Sequence, residues 1–145
     1  MSQIDLVPAI NISSSGMDAE KLRMEVVANN VANAETTRGP DGNVFRRRQV
    51  IFASKLAEAM GDVGAAGQEL GGVRVVDVVE DGRPPKTVHR PGHPDADEAG
   101  YVKLPNVNPI EEMVDMMTAS RAYEANVAAI RISKSMVSKA LEIGR

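Results

Sequence analysis

Apolar side chains recur every seven residues at both ends of the 145-residue chain, and this pattern limits the possible folds more than any other feature. The two series are Ile10, Met17, Met24 and Val31, and then Met116, Tyr123, Ile130 and Val137. A seven-residue repeat places side chains on one stripe of an α-helix, and two such stripes typically pair. The sequence therefore predicts two long terminal helices that pack as an antiparallel coiled coil.

Capping residues predict where these helices begin and end. Asn108 supplies a cap side chain and Pro109 suits the first helical position, because that position needs no N–H donor. Neither Gly nor Pro then occurs before Gly144, a typical helix terminator. The N-terminal helix is expected to end near Thr36, and Gly16 marks a potential break within it.

The central part of the chain is predicted to be extended. Residues 43–52 and 73–80 are rich in Val, Ile and Phe, as strands are, while Val88 and residues 101–104 suit two shorter strands. Six of the eight prolines fall within residues 81–109, which argues against a helix there. The expected fold is α+β, mainly α. Its units are an N-terminal helix in residues 1–36, a central β insertion in residues 37–105 and a C-terminal helix in residues 106–145.

The composition excludes several classes of protein. A net charge of −3 argues against a general nucleic-acid binder, which normally carries a basic excess. Without Cys there is neither a disulfide framework nor a Cys-based zinc site. No apolar run approaches the ~20 residues that span a bilayer, and the N-terminus lacks the pattern of a cleavable secretory signal. With only two Phe and two Tyr, a self-contained core would be thin, so apolar surface is expected to be buried against other chains.

Two polar clusters are candidates for contacts between subunits. Arg46, Arg47 and Arg48 are interpreted as a contact with an acidic partner surface, because no aromatic side chains are interleaved for nucleic-acid binding. Asn29, Asn30 and Asn33 leave two interpretations open: a fraying helix end, or amides that fix the register between neighbouring subunits. The set Met113, Met116, Met117 and Met136 is interpreted most simply as core packing, although Met also suits surfaces that adapt to several partners.

No catalytic, metal-binding or cofactor-binding residue is predicted. His89 and His93 have a spacing that would suit a metal site on a helix, but Pro91 and Pro94 prevent a helix there. These histidines are therefore expected to be turn residues, with no assigned role. No nucleophile, base and orienting group can be assembled from the sequence, so an enzyme is not expected.

Two segments resemble a known family. Residues 11–48 (NISSSGMDAEKLRMEVVANNVANAETTRGPDGNVFRRR) are similar to the N-terminal signature of bacterial flagellar rod and hook proteins. Residues 100–130 (GYVKLPNVNPIEEMVDMMTASRAYEANVAAI), followed by residues 133–144, resemble the C-terminal signature of the same family. Arg131 and Ile132 depart from the small polar pair expected there.

The resemblance implies a structural subunit of the proximal rod of the flagellar basal body. Copies would assemble helically with themselves and other flagellar rod proteins, and would transmit torque from the motor to the hook across the periplasm. It further implies export by the flagellar type III apparatus without a cleavable signal peptide, and no cofactor. The residues by themselves also allow a soluble coiled-coil adaptor or an export chaperone of a secretion system.

Overall fold

The computed structural model describes residues 6–39, 42–54 and 71–143, and these contain two helices and four strands. The helices are α1 (Leu6–Ala32) and α2 (Pro109–Ile143); the strands are β1 (Arg48–Ser54), β2 (Val73–Glu80), β3 (Lys86–His89) and β4 (Tyr101–Leu104). The predicted α+β class, with terminal helices around a small central β region, is confirmed.

Helix α1 runs for 27 residues and passes through Gly16 without interruption, so the potential break at that position does not occur. The reason is tertiary packing: a Cβ placed on Gly16 would lie 2.9 Å from Asn126 Nδ2 of α2. The small residue allows the two helices to approach closely. The helix ends at Ala32, slightly earlier than expected, and a turn closed by the Thr36 N to Asn33 O hydrogen bond (3.1 Å) follows.

Helix α2 begins at Pro109, as its capping residues predict, and extends for 35 residues. Asn108 Oδ1 accepts the Ile110 N–H at 3.2 Å, while Asn108 Nδ2 donates to Glu111 Oε1 at 2.9 Å. The cap thus satisfies one of the backbone donors that the first helical turn leaves unpaired. Two acidic residues in that turn, Glu111 and Glu112, also interact favourably with the positive end of the helix dipole.

The two helices pack antiparallel. Asn30, near the end of α1, bonds to Glu112 at the start of α2, whereas Gly16 lies against Asn126, further along α2. All eight residues of the two heptad series are half-buried in the chain: Ile10, Met17, Met24, Val31, Met116, Tyr123, Ile130 and Val137. The most deeply buried helical residues lie beside them: Ala19, Val27, Asn30, Glu112 and Ala119. Antiparallel pairing is observed, while knobs-into-holes coiled-coil packing stays a prediction.

The strands form two separate antiparallel hairpin sheets. Strands β1 and β2 pair from Arg48↔Glu80 to Ser54↔Val73, with an irregularity between Ile51 and Phe52. Strands β3 and β4 pair from Lys86↔Leu104 to His89↔Tyr101. Strand β1 begins later than residue 43, because Gly39 N donates to Asn43 O at 2.8 Å and holds that stretch in a turn.

The described residues bury few apolar side chains. Val102, Leu104 and Val107 are buried in and just after β4, and Ala19, Val27 and Ala119 are buried on the two helices. The β1–β2 sheet contributes no fully buried side chain within its described strands. The apolar core is therefore small, as the scarcity of aromatic residues suggests.

Candidate assembly interface

A buried side-chain amide joins α1 to β1. Asn30 has 0% exposure, and its Nδ2 donates to the Arg48 carbonyl oxygen at 2.8 Å. Its Oδ1 accepts the Arg48 N–H at 2.9 Å. The Asn30 amide therefore pairs with the Arg48 backbone as a neighbouring strand would, and it fixes the point at which β1 begins.

The carboxylate of Glu112 completes this junction from α2. Glu112 is 1% exposed; its Oε2 accepts from Asn30 Nδ2 at 2.9 Å, and its Oε1 accepts from Arg47 Nε at 2.5 Å. A buried carboxylate is tolerated only when it is paired and hydrogen-bonded, and both conditions are met here. We call Asn30, Arg47, the Arg48 backbone and Glu112 the polar junction. It connects both helices to the first sheet.

The three consecutive arginines occupy different environments. The Arg47 side chain is 17% exposed and is engaged by Glu112 within the chain. Arg48 places its guanidinium 5.8 Å from the centre of the Phe45 ring and 3.7 Å from Glu80 Oε1. Arg46 is exposed and has no hydrogen bond or ion pair to another described residue. A contact between subunits stays a prediction for this cluster, and Arg46 is the member whose charge is available for it.

These arginines line an open cleft of about 640 Å³ between the turn after α1 and the end of β2. Arg38 and Arg83 add further positive charge to its lining, and the acidic residues Glu80 and Asp81 line it as well. The Arg83 side chain hydrogen-bonds to Asp81 and lowers the pKa of that carboxyl from 3.8 to about 2. Asp81 is therefore ionised at neutral pH, and its N–H donates to the Arg47 carbonyl oxygen at 2.7 Å.

The asparagine cluster also divides by environment. Asn33 Nδ2 donates to the Asn29 carbonyl oxygen at 2.9 Å, and Asn33 Oδ1 accepts from Thr36 Oγ1 at 3.2 Å, so Asn33 closes the end of α1. Asn29 is exposed, whereas Asn30 belongs to the polar junction. The sequence pattern alone does not single out Glu112 as a site residue. The feature that could have indicated it is its position seven residues before Ala119, on the helical stripe that also carries Asn126 and Ser133.

One face of α2 is apolar and exposed in the single chain. Near the start of the helix, Ile110 is 73%, Met113 54%, Val114 53% and Met117 55% exposed. These residues lie opposite the side on which Glu112 and α1 pack, which is why α1 does not cover them. Further along, the exposed apolar residues are Ile132, Met136, Leu141 and Ile143. The interpretation of the methionines as core is therefore wrong within the chain for Met113, Met117 and Met136, while Met116 is half-buried.

His93 lies in a turn, as predicted, but the prediction of a turn is wrong for His89, which is the last residue of β3 and pairs with Tyr101 of β4. The His89 ring lies 5.0 Å from the Tyr101 ring across the β3–β4 pair, and His93 Nδ1 accepts the Asp95 N–H at 3.1 Å in the following turn. Over residues 6–39, 42–54 and 71–143, no group of three or more His, Cys, Asp or Glu side chains is placed to hold a metal ion. Over the same ranges, no helix combines the length and the hydropathy that crossing a membrane requires.

Known proteins are similar in sequence to this chain at both of its ends and over nearly its full length. Residues 10–40 match the family model of the flagella basal body rod protein, and residues 98–143 match that of the flagellar basal body rod FlgEFG protein C-terminal. The flagellar basal-body rod protein FlgC of Borreliella burgdorferi is 46% identical over 95% of this chain and 97% of its own. This chain belongs to the FlgC family.

Other FlgC proteins match to a similar extent. That of Escherichia coli O6:H1 is 44% identical over 97% of this chain and 98% of its own, and that of Bacillus subtilis is 41% identical over 94% and 97%. The chain is thus a structural subunit of the flagellar basal-body rod. The predicted membership of the flagellar rod and hook family is confirmed. In a subunit of an assembly, the exposed apolar face of α2 is the main candidate for a contact between subunits.

Proposed function

We propose that this FlgC-family chain builds the proximal rod by helical assembly with further copies of itself and with other rod proteins, and that it transmits torque from the motor to the hook. The observation that carries this proposal is the exposed apolar face of α2. Burying a large apolar side chain is worth about 1.5–3 kcal/mol, so several such residues per copy supply strong association. Monomeric proteins seldom expose apolar patches of this kind without an interaction role.

The helices are proposed to form the inner tube of the rod, and the β region to make outer contacts. In this arrangement residues 1–36 and 106–145 form the helical unit and residues 37–105 the insertion. The two heptad series would pack as coiled coils both within the chain and against neighbouring helices. A helix of 35 residues is about 50 Å long, so each copy could contact several others along the rod.

The polar junction supports the proposed transmission of torque. A load applied to the β1–β2 sheet passes through the Asn30–Arg48 backbone pairing into α1, and through Arg47–Glu112 into α2. Buried, fully paired polar groups are costly to separate, which makes this connection stiff. The exposed residues Arg46 and Arg48, which line the cleft, and the exposed Asn29 are proposed to contact neighbouring subunits.

Several further properties belong to the same proposal. The chain would act in the periplasmic part of the basal body, and it would be exported by the flagellar type III apparatus without a cleavable signal peptide. It would act without catalysis, cofactor or nucleic acid. The net charge of −3 supports the absence of a nucleic-acid partner, because general nucleic-acid binders normally carry a basic excess.

The proposal is tested by deleting the gene and restoring it with a tagged copy. Electron microscopy of isolated basal bodies should show rods only in the restored cells, with the tag located on the proximal rod. Circular dichroism and sedimentation of the purified chain add a second test. A stable helical dimer that does not join basal bodies would contradict the proposal and favour an adaptor or an export chaperone.

A further inference from the structure

We propose that Met113 and Met117 form an oxidation site, at which a peroxide converts exposed thioethers to sulfoxides and prevents the chain from packing into the rod. The inference rests on the function proposed above, since it requires that the face carrying both residues becomes buried on assembly. The two methionines are four residues apart on α2 and therefore share one face of the helix.

The exposure of these side chains in the single chain makes their sulfur atoms accessible. Met113 is 54% and Met117 is 55% exposed, and their neighbours Ile110 and Val114 are also exposed. Met24 and Met116, in contrast, are half-buried. Because susceptibility to oxidation follows exposure, Met113 and Met117, together with Met136 (58% exposed), should react before the half-buried methionines in the unassembled subunit.

The reaction is a two-electron oxidation by hydrogen peroxide. The sulfur lone pair attacks one peroxide oxygen, an S–O bond forms and the O–O bond breaks. The second oxygen leaves as hydroxide and takes up the proton of the new S–OH group, which gives water and the sulfoxide. Sulfur loses two electrons and the peroxide gains them, which leaves an uncharged sulfoxide on each side chain.

The consequence differs between the free and the assembled chain. In the free chain water solvates the sulfoxide oxygen, so the fold is unaffected. In a packed helical face the same oxygen would need a hydrogen-bond donor, and burying it without one is costly. Oxidation would therefore act on assembly and leave folding unchanged, and only subunits not yet assembled would be sensitive.

The first test uses the purified protein and limiting hydrogen peroxide, followed by mass spectrometry of each methionine. Met113 and Met117 should oxidise at least about threefold faster than Met24 and Met116, because the latter pair is less exposed. The thermal unfolding midpoint should not change while only the exposed methionines, Met136 included, are oxidised. Equal oxidation rates at the four positions, or a lowered midpoint, would overturn the inference.

The second test uses cells in which the gene is replaced by double variants. Met113→Gln with Met117→Gln introduces a polar, uncharged group like a sulfoxide, whereas Met113→Leu with Met117→Leu keeps the face apolar and removes the sulfur. The Leu pair should build rods as the original chain does, and the Gln pair should lower the number of complete basal bodies at least about tenfold.

The outcomes separate this inference from the proposed function. Purified Gln-pair protein should unfold at the original temperature, because both side chains are exposed in the free chain. If the Gln pair builds rods normally, the oxidation site is refuted while the rod function stands. If the unaltered chain itself fails to restore rods, the proposed function is refuted.

Discussion

Asn30 and Glu112 lie 82 residues apart in the chain and share a buried hydrogen bond of 2.9 Å between Nδ2 and Oε2. The same Asn30 amide pairs with both backbone groups of Arg48, so a single side chain of α1 contacts both β1 and α2. Each polar atom at this point has a partner in a second element. The relative placement of the helices and the first sheet therefore depends on hydrogen bonds as well as on the small apolar core.

Replacing Asn30 with Asp should destabilise the fold strongly. The new carboxylate would face Glu112 and the Arg48 carbonyl oxygen, and both contacts become repulsive. We expect the free energy of unfolding to fall by about 3–5 kcal/mol, the range for leaving a buried charge uncompensated. Chemical denaturation followed by circular dichroism measures this change.

The matched control is Asn29→Asp, one residue earlier on an exposed side of α1. That variant should change the free energy of unfolding by no more than about 0.5 kcal/mol. Equal effects of the two variants would mean that the polar junction contributes nothing specific.

The exposed and half-buried faces of α2 should respond differently to a new charge. Val114→Asp adds a carboxylate to an exposed position, so the purified chain should keep its unfolding midpoint while rods fail to form. Ile130→Asp adds one on the half-buried side, so it should lower stability by several kcal/mol and also abolish assembly. Denaturation together with counts of basal bodies separates the two effects. Normal rods in the Val114→Asp cells would refute the proposed role of this face.

The cap of α2 should have a small effect on stability. Asn108→Ala removes the oxygen that accepts the Ile110 N–H, and it should cost about 1 kcal/mol in the free energy of unfolding. Pro109→Ala at the first helical position should be nearly neutral, since that position requires no N–H donor. A severe motility defect from Pro109→Ala would instead reveal that this residue contacts a neighbouring subunit.

The Asp81–Arg83 pair predicts a dependence of stability on pH. The pKa of Asp81 is lowered from 3.8 to about 2, chiefly by the Arg83 side-chain hydrogen bond. A carboxyl whose pKa is lowered by folding stabilises the fold fully at pH values above its unfolded pKa. That contribution is lost as the pH falls from about 4 towards 2. The stability difference between the original chain and Asp81→Asn should thus be constant above about pH 5 and shrink below pH 4.

The control for this pH effect is the same comparison in an Arg83→Ala background. Without the guanidinium, the part of the stability difference that depends on pH should become smaller. Denaturation curves at about pH 1.5, 3 and 7, which span the two pKa values, would measure it. An unchanged pH profile in that background would show that Arg83 is not the cause of the shift.

The sequence predicted the features that depend on local pattern. The heptad series located both helices, Asn108-Pro109 located the start of α2, and the Val-rich run located β2 at Val73–Glu80. It could not predict the polar junction, because burial of Asn30 and Glu112 depends on partners distant in the chain. The sequence could not decide between core and surface for the methionines for a similar reason, because an apolar residue on a helix suits a core or an exposed interface equally.

The arginine cluster should separate into one structural and one assembly residue. Arg47→Ser leaves Glu112 buried without its cation, so it should cost about 3–5 kcal/mol and deplete the folded protein.

Arg46→Ser removes a charge that has no partner among the described residues, so the fold should be unchanged. If Arg46 contacts an acidic surface of a neighbouring subunit, the Arg46→Ser rods should be weaker, because an interfacial charge-assisted hydrogen bond is worth about 1.5–3 kcal/mol per copy. Swimming in viscous medium and the fraction of sheared filaments measure rod strength, and Arg46→Lys, which retains the charge, should restore most of it. Full motility of the Arg46→Ser cells in viscous medium would show that Arg46 is only a solvated surface residue.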